Sequence, residues 1–489
     1  MSLNVDGFQE NVRDGMVTIT ITAHHPLIKL ARSLPWDDLL AIILPDLQRT
    51  EKLQWWVGRP LRVRIHLGIY LLQQFFNLTD RQAEYFLNDN AAFRLFCGHG
   101  LMQKWHVPDH TKIEEFRSRL LPETQRQLAN LISVHAVKLK YANPKMIDID
   151  STVQEANISY PSATNLLVKV AGLAKRLVKP LNDLKDTAKT AYQVNLKRIK
   201  GMLLQYFNFK RQNKLELSHT ALKALWQEVF SEVWPVIKDS YQLIPLFSLP
   251  KYWNLRRALE QLQWNGYRLL ELMYQQLFEG TAPTTKIYSL HAYEVSCFDK
   301  NKLNKKKEFG RAYQLGRLEG NFVFVGECTS VRMPDAQSLP SMMAEHEYLF
   351  GNNNLDSVAT DKGYYALDNH LLLEKKGVTE IGLPRPDKPF NAPRNKTSGE
   401  VLEKLHNRRA GIEAIISHIK HGGQLGRSRM KSDRTTLSAG YASVLGFNLR
   451  QLKRYAIGKI CPKFGENVSV VSENENIINN STKMIISTA

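Results

Sequence analysis

Three things are scarce in this 489-residue sequence, and each shortage closes off a class of protein. Cysteine is confined to Cys97, Cys297, Cys328 and Cys461, with no Cys-x-x-Cys pair. Thiols so scattered argue against a disulfide framework or a structural zinc site and suit a reducing compartment. Long apolar runs are also missing. No window reaches the ~18 uninterrupted apolar residues of a membrane span, and the opening MSLNVDGFQENVRDG has neither a basic n-region nor an apolar run, so no signal peptide is read. The third shortage is negative charge: Asp and Glu total 47 against 66 Lys and Arg, a formal charge of +19 with a pI near 9.6. That surplus favours a polyanionic partner, nucleic acid ahead of an anionic membrane surface. At 56.1 kDa the chain exceeds one ordinary core, so two or three domains are expected.

What is present begins, after a short alternating stretch at Met16–Ala23, with helical patterns over Pro26–Cys97 such as PWDDLLAIILPDL and RPLRVRIHLGIYLLQQFF. Capping-box patterns at Thr79-Asp-Arg-Gln82 and Thr111-Lys-Ile-Glu114 open further helices, the second continuing to Lys140. The first part therefore reads as all-helical. NLTDRQAEYFLNDNAAFRLFCG has the size of a helix-turn-helix able to enter a DNA major groove, with plain helix packing as the alternative.

Lys145–Pro161 changes character: Met146, Ile147 and Ile149 interleave with Asp148 and Asp150, and Thr152, Val153 and Ile158 extend a strand pattern that fits two strands joined by a turn. Asp148 and Asp150 face the same side of a strand, and burying either is expensive without a metal or cationic partner. From about Thr164 to Thr284 the pattern is helical again, with LSHTALKALWQEVF ending at Phe230. Its first half is basic: Lys169, Lys175, Arg176, Lys179, Lys185, Lys189, Lys197, Arg198, Lys200, Lys210, Arg211 and Lys214 meet few acids, which favours phosphate contact over a merely solvated face. Trp226, Trp234, Trp253 and Trp264 take core-like positions suited to packing.

Strand patterns return at Lys286–Asp299 and in a hairpin around Glu319-Gly320, with the charge run Lys305, Lys306 and Lys307 between them. A helix over Ser341–Phe350 precedes the β-rich run Ser357–Thr360, which ends at Asp361 with Gly363 two residues on. A carboxylate at a strand's end beside a glycine can approach a metal-bound phosphate closely, although such turns are common. After the strand pattern GVTEIGLP comes a loop rich in Pro, Asn and Lys, RPDKPFNAPRNKTSGE, and then the most informative stretch, LHNRRAGIEAIISHIK. There His406, Arg409, Glu413 and Lys420 line one side of a helix while Ile412, Ile415, Ile416 and Ile419 take another. The apolar face reads as core. The polar face presents a carboxylate flanked by two cations, which is either a solvated salt-bridge face or the acid of an active site. A Gly-rich basic loop, GGQLGRSRMKSDRTTL, an apolar helix over Ala439–Tyr455 and a polar tail read as disordered complete the chain.

The spacing Arg409-x3-Glu413-x6-Lys420 resembles the Tyr-x2-Arg-x3-Glu-x6-Lys signature of bacterial insertion-sequence transposases with an Asp-Asp-Glu triad, of the insertion-sequence-4 and insertion-sequence-5 type. His406 stands at the family's Tyr position, so no role of that tyrosine is carried over. DSTVQEANISYP and ATDKGYY resemble the family segments around its two aspartates, and KEFG another short family segment. NLTDRQAEYFLNDNAAFRLFCG and VPDHTKIEEFRSRL look like the family's N-terminal domain, which is taken to engage element ends. Three matched segments stand in order, and the resemblance covers most of the chain outside the helical insert and tail.

The resemblance implies an α+β chain: a ribonuclease-H-like catalytic domain over 141–163 and 285–458, interrupted by a basic helical insertion over 164–284, with an all-α N-terminal DNA-binding domain over 1–140 and a disordered tail over 459–489. It implies that Asp150, Asp361 and Glu413 are catalytic and ligate two Mg²⁺ ions, with Mn²⁺ able to substitute, and that Arg409 and Lys420 hold scissile-strand phosphates. Asp150 is preferred to Asp148 because it alone precedes the Ser-Thr-Val of the family segment. DNA contact is expected at Lys197, Arg198, Lys200, Lys305, Lys306, Lys307, Arg427, Arg429 and Lys431. The implied activity is cleavage at terminal inverted repeats followed by strand transfer into target double-stranded DNA, by a homodimer on paired ends in the cytoplasm, associated with the nucleoid and with no membrane partner. A catalytically inactive DNA-binding derivative and a metal-dependent nuclease without strand joining are the two alternatives.

Overall fold

The computed structural model describes residues 2–5, 8–11, 24–47, 62–99, 106–183, 191–247, 252–283, 285–292, 294–299, 307–328, 333–352, 355–385 and 399–460. The alternating stretch Met16–Ala23, Lys185, Lys189, Lys305, Lys306, most of the loop after Arg385 and the tail from Cys461 lie outside the described residues. The chain forms two compact units. The first is Met1–Glu155, Arg311–Arg429 and Arg434–Ala489, and the second is Ala156–Gly310 with Met430–Asp433.

The first unit opens on a small antiparallel pair, β1 (Ser2–Val5) and β2 (Phe8–Asn11), followed by the helices α1 (Pro26–Ser33), α2 (Trp36–Leu47), α3 (Val63–Phe76), α4 (Asp80–Asp89), α5 (Ala91–Phe96), α6 (His110–Arg119) and α7 (Pro122–Lys138). The capping box at α4 forms as its sequence dictates: Gln82 N donates to Thr79 Oγ1 at 3.3 Å and Thr79 N to Gln82 Oε1 at 2.9 Å. The second pattern does not. Asp109 caps α6 instead, its Oδ1 accepting from Lys112 N at 2.9 Å. Nor does one helix run on to Lys140. Pro122 cannot donate to the preceding turn and holds Leu121 extended at φ −69°, ψ 153°, so α6 and α7 are separate. The three-residue turn 77–79, with Asn77 left-handed at φ 56°, joins α3 to α4, and the single residue Asn90 joins α4 to α5, so NLTDRQAEYFLNDNAAFRLFCG holds two short helices in succession.

These helices have no core of their own. Leu67 and Tyr70 of α3 and Ile132 of α7 share one buried cluster with Val323 and Phe324 and with Leu445 and Leu449. Two buried asparagines stitch the same region: Val323 N and Val325 N donate to Asn448 Oδ1 and Asn130 Oδ1 at 3.0 and 2.8 Å, and Asn448 Nδ2 donates to Ala129 O at 3.1 Å. Backbone groups on a short strand that would otherwise lack partners in the dry core are thereby satisfied.

The sheet that organises this unit has β3 (Asn143–Glu155) at its centre, a single continuous strand where two had been expected. Beside it run β5 (Lys307–Glu319), β6 (Val323–Val325), β7 (Ser357–Thr360) and β8 (Glu380–Gly382) in the order β5-β3-β7-β8, with β6 pairing with β5; β4 (Ser296–Asp299), which pairs with the first residues of β5, falls with Lys307–Gly310 in the second unit. β3, β7 and β8 run parallel, whereas β5 is antiparallel to both β4 and β6. The hairpin at Glu319-Gly320 is present, but of Lys286–Asp299 only the last four residues form a strand. α13 (Asp335–Phe350), α14 (Leu367–Lys375), α15 (Gly399–His421) and α16 (Asp433–Ala456) complete the elements, α13 beginning six residues earlier than read.

The second unit is built on α8 (Ala163–Asn182), α9 (Leu196–Arg211), α10 (Leu215–Leu243), α11 (Trp253–Gln261) and α12 (Tyr267–Tyr274) around its own core, which includes Leu167, Val170, Leu225, Val229, Leu262 and Leu270. It starts at Ala156 and reaches Gly310, wider than the insertion read as 164–284. α10 does not stop at Phe230 but continues through Pro235. Trp226 is buried and Trp234 packs against the core, as expected, whereas Trp264 is 67 % exposed. It lies in a π turn, Leu262–Gly266, which rotates the helix face away from the 3.6-residue period on which the core assignment rested. The side chain of Trp253 is outside the described residues. Among the described residues no helix is long and apolar enough to cross a membrane.

Candidate active site at the strand ends

The parallel register pairs Ile149 of β3 with Thr360 of β7, so the next residues along, Asp150 and Asp361, come side by side on strands about 4.8 Å apart. Asp361 is exposed at the end of β7 and caps the short turn Lys362–Tyr364, its Oδ1 accepting from Lys362 N at 2.6 Å. Asp150 is largely covered, with Ser151 N donating to its Oδ1 at 2.7 Å. Burial pushes the Asp150 carboxyl up to about 6. Ser151 N–H and Arg409 oppose the rise, and the neighbouring charges of Asp361 and Asp335 add to it.

α15 supplies the third group. Glu413 is 63 % exposed and Arg409 only 12 %. Arg409 Nη2 donates to Glu413 Oε1 at 3.0 Å, and its Nη1 lies 3.6 Å from Asp150 Oδ2. One guanidinium thus joins the strand acid to the helix acid. The apolar face is core as read, with Ile412, Ile415, Ile416 and Ile419 all buried. Lys420, half-buried, lies farther along the helix, where a Cβ on Gly426 would stand 3.5 Å from its own Cβ.

Asp148 has a different occupation. It is 3 % exposed, and its two oxygens are taken by Arg408 Nε at 2.7 Å and Arg317 Nη1 at 3.3 Å. Arg408 also donates to Ser357 Oγ at 2.8 Å and Ile147 O at 3.1 Å, and Arg317 Nη1 to Arg408 O at 3.0 Å. Burial raises the Asp148 carboxyl while Arg408 and then Arg317 pull it back. The two arginines clamp α15 onto β3. Gly411 makes room for the clamp, since a Cβ there would lie 2.2 Å from Arg317 Nη1.

Sequence reasoning missed three participants. Arg408 and Arg317 left only an indirect signal, the need of a buried Asp148 for a cation. Asp335 looks like any acid in the first turn of a helix. Yet Gln314 Nε2 donates to its Oδ1 at 3.2 Å, Gln314 Oε1 accepts from Tyr364 OH, and its charge reaches Asp150.

The donor set suits a hard divalent cation in part. Asp150 and Asp361 are crowded carboxylates whose repulsion such an ion would relieve. Among the described residues, however, no group of three His, Cys, Asp or Glu side chains is gathered so as to hold an ion, and Glu413 is engaged by Arg409.

The shifted Asp150 has a consequence for stability. Between about pH 4 and 6 the folded chain holds a proton that the unfolded chain has released, so stability falls as pH rises through this window and the penalty is complete above pH 6. Asp150→Asn should therefore be more stable than the parent at pH 8, by on the order of 1–2 kcal/mol. The gain should disappear below about pH 4, as melting temperature measured against pH will reveal.

Of the expected DNA contacts, Lys197, Arg198, Lys200, Lys307, Arg427, Arg429 and Lys431 are exposed. Arg198 is not without an acid, since its Nε lies 3.0 Å from Glu228 Oε1. The loop carrying Arg427 and Arg429 is laid on the end of β3: Glu155 N donates to Gly426 O at 3.0 Å and Ser428 N to Glu155 O at 2.8 Å. Arg429 Nη2 donates to Asn77 Oδ1 at 3.0 Å.

Over 180 residues, 35 % of this chain and 82 % of the relative, the sequence is 25 % identical to the uncharacterized protein ORF8 in the nfe locus of Rhizobium meliloti. No solved structure matches. Residues 17–119, the stretch holding α1 to α6, match the family described as transposase domain (DUF772). The helical first part of the chain is thus similar to a transposase domain, and that likeness supports a place for the protein among transposases.

Proposed function

We propose that the protein is a DNA transposase of the Asp-Asp-Glu type, in which Asp150, Asp361 and Glu413 carry Mg²⁺-dependent strand cleavage and strand transfer. The observation that carries this reading is the β3–β7 register, which sets Asp150 beside Asp361 while Arg409 ties Asp150 to Glu413. The strand order, with β3 between β5 and the parallel pair β7 and β8, is the arrangement expected of a ribonuclease-H-like domain and supports that fold assignment.

When bound, two divalent ions would activate the attacking hydroxyl and stabilise the leaving oxygen of an in-line phosphoryl transfer. The chain's own residues do the rest. Asp150 and Asp361 present oxygens from adjacent strand ends and Glu413 presents one from an exposed helix face. Arg409 and Lys420 offer cations to the phosphates of the reacting strand. Terminal inverted repeats and target DNA are the substrates, and pairing of two ends makes a homodimer the simplest assembly. A labelled terminal-repeat duplex with Mg²⁺ tests the reading: nicking and joined product together support transposition. Nicking without joining would leave a nuclease, and binding without nicking an inactive derivative.

The exposed cations of α9 extend the proposal to the second unit. Substituting Lys197, Arg198 and Lys200 together with Ala should weaken duplex binding and lower the slope of log affinity against log salt by ~2, somewhat below the three phosphate contacts removed because Arg198 shares its charge with Glu228. A slope identical to that of the parent would remove this surface from the DNA path.

A further inference from the structure

Arg409 stands where it cannot remain if the strand acid and the helix acid are to share a cation. Its Nη1 is 3.6 Å from Asp150 Oδ2 and its Nη2 3.0 Å from Glu413 Oε1, so a single guanidinium supplies positive charge between the two carboxylates. The guanidinium is mostly covered, 12 % exposed, whereas Glu413 at 63 % has solvent around it. A planar guanidinium and a hard dication want the same oxygens and repel each other, so both cannot occupy the gap at full strength.

Resting on the metal-dependent reading above, we infer that Arg409 is an exchangeable internal counter-ion: it holds Asp150 and Glu413 together in the metal-free protein, competes with the divalent cation for them, and is displaced when the cation binds. The displaced guanidinium keeps its charge and its fork of donors, the form in which it pairs with a phosphate oxygen. The neighbouring Arg408 does not take part. It is committed to Asp148, Ser357 and Ile147 and keeps α15 in place while Arg409 moves.

Titration of the full-length protein with Mn²⁺ alone, without DNA, reads this directly through the free-ion electron paramagnetic resonance signal. Arg409→Gln removes the competing charge and should tighten Mn²⁺ binding about 10-fold, a coupling of ordinary size. Arg409→Lys keeps a cation at the site and should stay within ~3-fold of the parent. Arg409→Met, close to arginine in volume, serves in place of the glutamine variant if that one fails to fold. Unchanged or weaker binding by the neutral variants, or equal tightening by Arg409→Lys, would overturn the inference. Asp150→Asn separates this failure from a deeper one. If it abolishes Mn²⁺ binding, the site is a metal site and only the role of Arg409 is in question. If no Mn²⁺ binding depends on Asp150, the metal-dependent reading falls and the counter-ion with it.

Discussion

Glu413→Gln should yield a folded protein that binds DNA but neither cuts nor joins it. The substitution is nearly isosteric, and the side chain is 63 % exposed with Arg409 as its ion-pair partner, so little packing changes. An exposed pair of this kind is worth under ~1 kcal/mol, and melting temperature should move correspondingly little. Activity is another matter. If Glu413 completes a two-metal site, removing its charge affects both chemical steps, and Mg²⁺-dependent nicking of a terminal-repeat duplex should fall by on the order of 100-fold or more. Substantial nicking by well-folded Glu413→Gln protein would return α15 to the role of a solvated salt-bridge helix.

Asp148→Asn is expected to do the reverse. Asp148 is buried against two arginines, and neutralising it leaves Arg408 and Arg317 with no compensating anion in a covered site. Removing one partner of a buried ion pair typically lowers stability by ~3–5 kcal/mol, which a shift of the urea midpoint will register. Because Arg408 and Asp148 share one network, the double variant Asp148→Asn with Arg408→Gln should lose less than the sum of the single losses. Below its melting temperature Asp148→Asn should still nick DNA, whereas Asp150→Asn should not. A stable but inactive Asp148→Asn beside an active Asp150→Asn would reverse the roles of the two aspartates.

Periodicity made α15 legible. The offsets of Arg409, Glu413 and the four isoleucines are set by the helix itself, and the structure keeps them on the expected faces. The alternation around Asp150 and the strand end at Asp361 were legible for the same reason, since a period of two is local. The clamp was not. Arg317 and Arg408 reach Asp148 across 169 and 260 residues of chain, and nothing local in either arginine's neighbourhood encodes that meeting. Asp335 was hidden in another way, because an acid opening a helix has an adequate local explanation already. Where local rules conflicted, the stronger one decided. Pro122 split the helix read from the capping pattern, and the π turn Leu262–Gly266 displaced Trp264 from the face that a regular helix would have given it.

The core shared by the first helices and the sheet bears on how such proteins can be recombined. The stretch that matches the transposase domain ends with α6, but its apolar side is closed by residues more than 200 positions downstream, Leu445 and Leu449 among them. α7, which follows it, meets its hydrogen-bonding complement through Asn130 with β6 and through Ala129 with Asn448. A region built this way is not a cassette. Exchange between lineages at the family boundary would join mismatched halves of one interior, so this stretch is more readily diversified by replacing outward-facing residues such as Arg81 and Tyr85 of α4 than by grafting the helices whole.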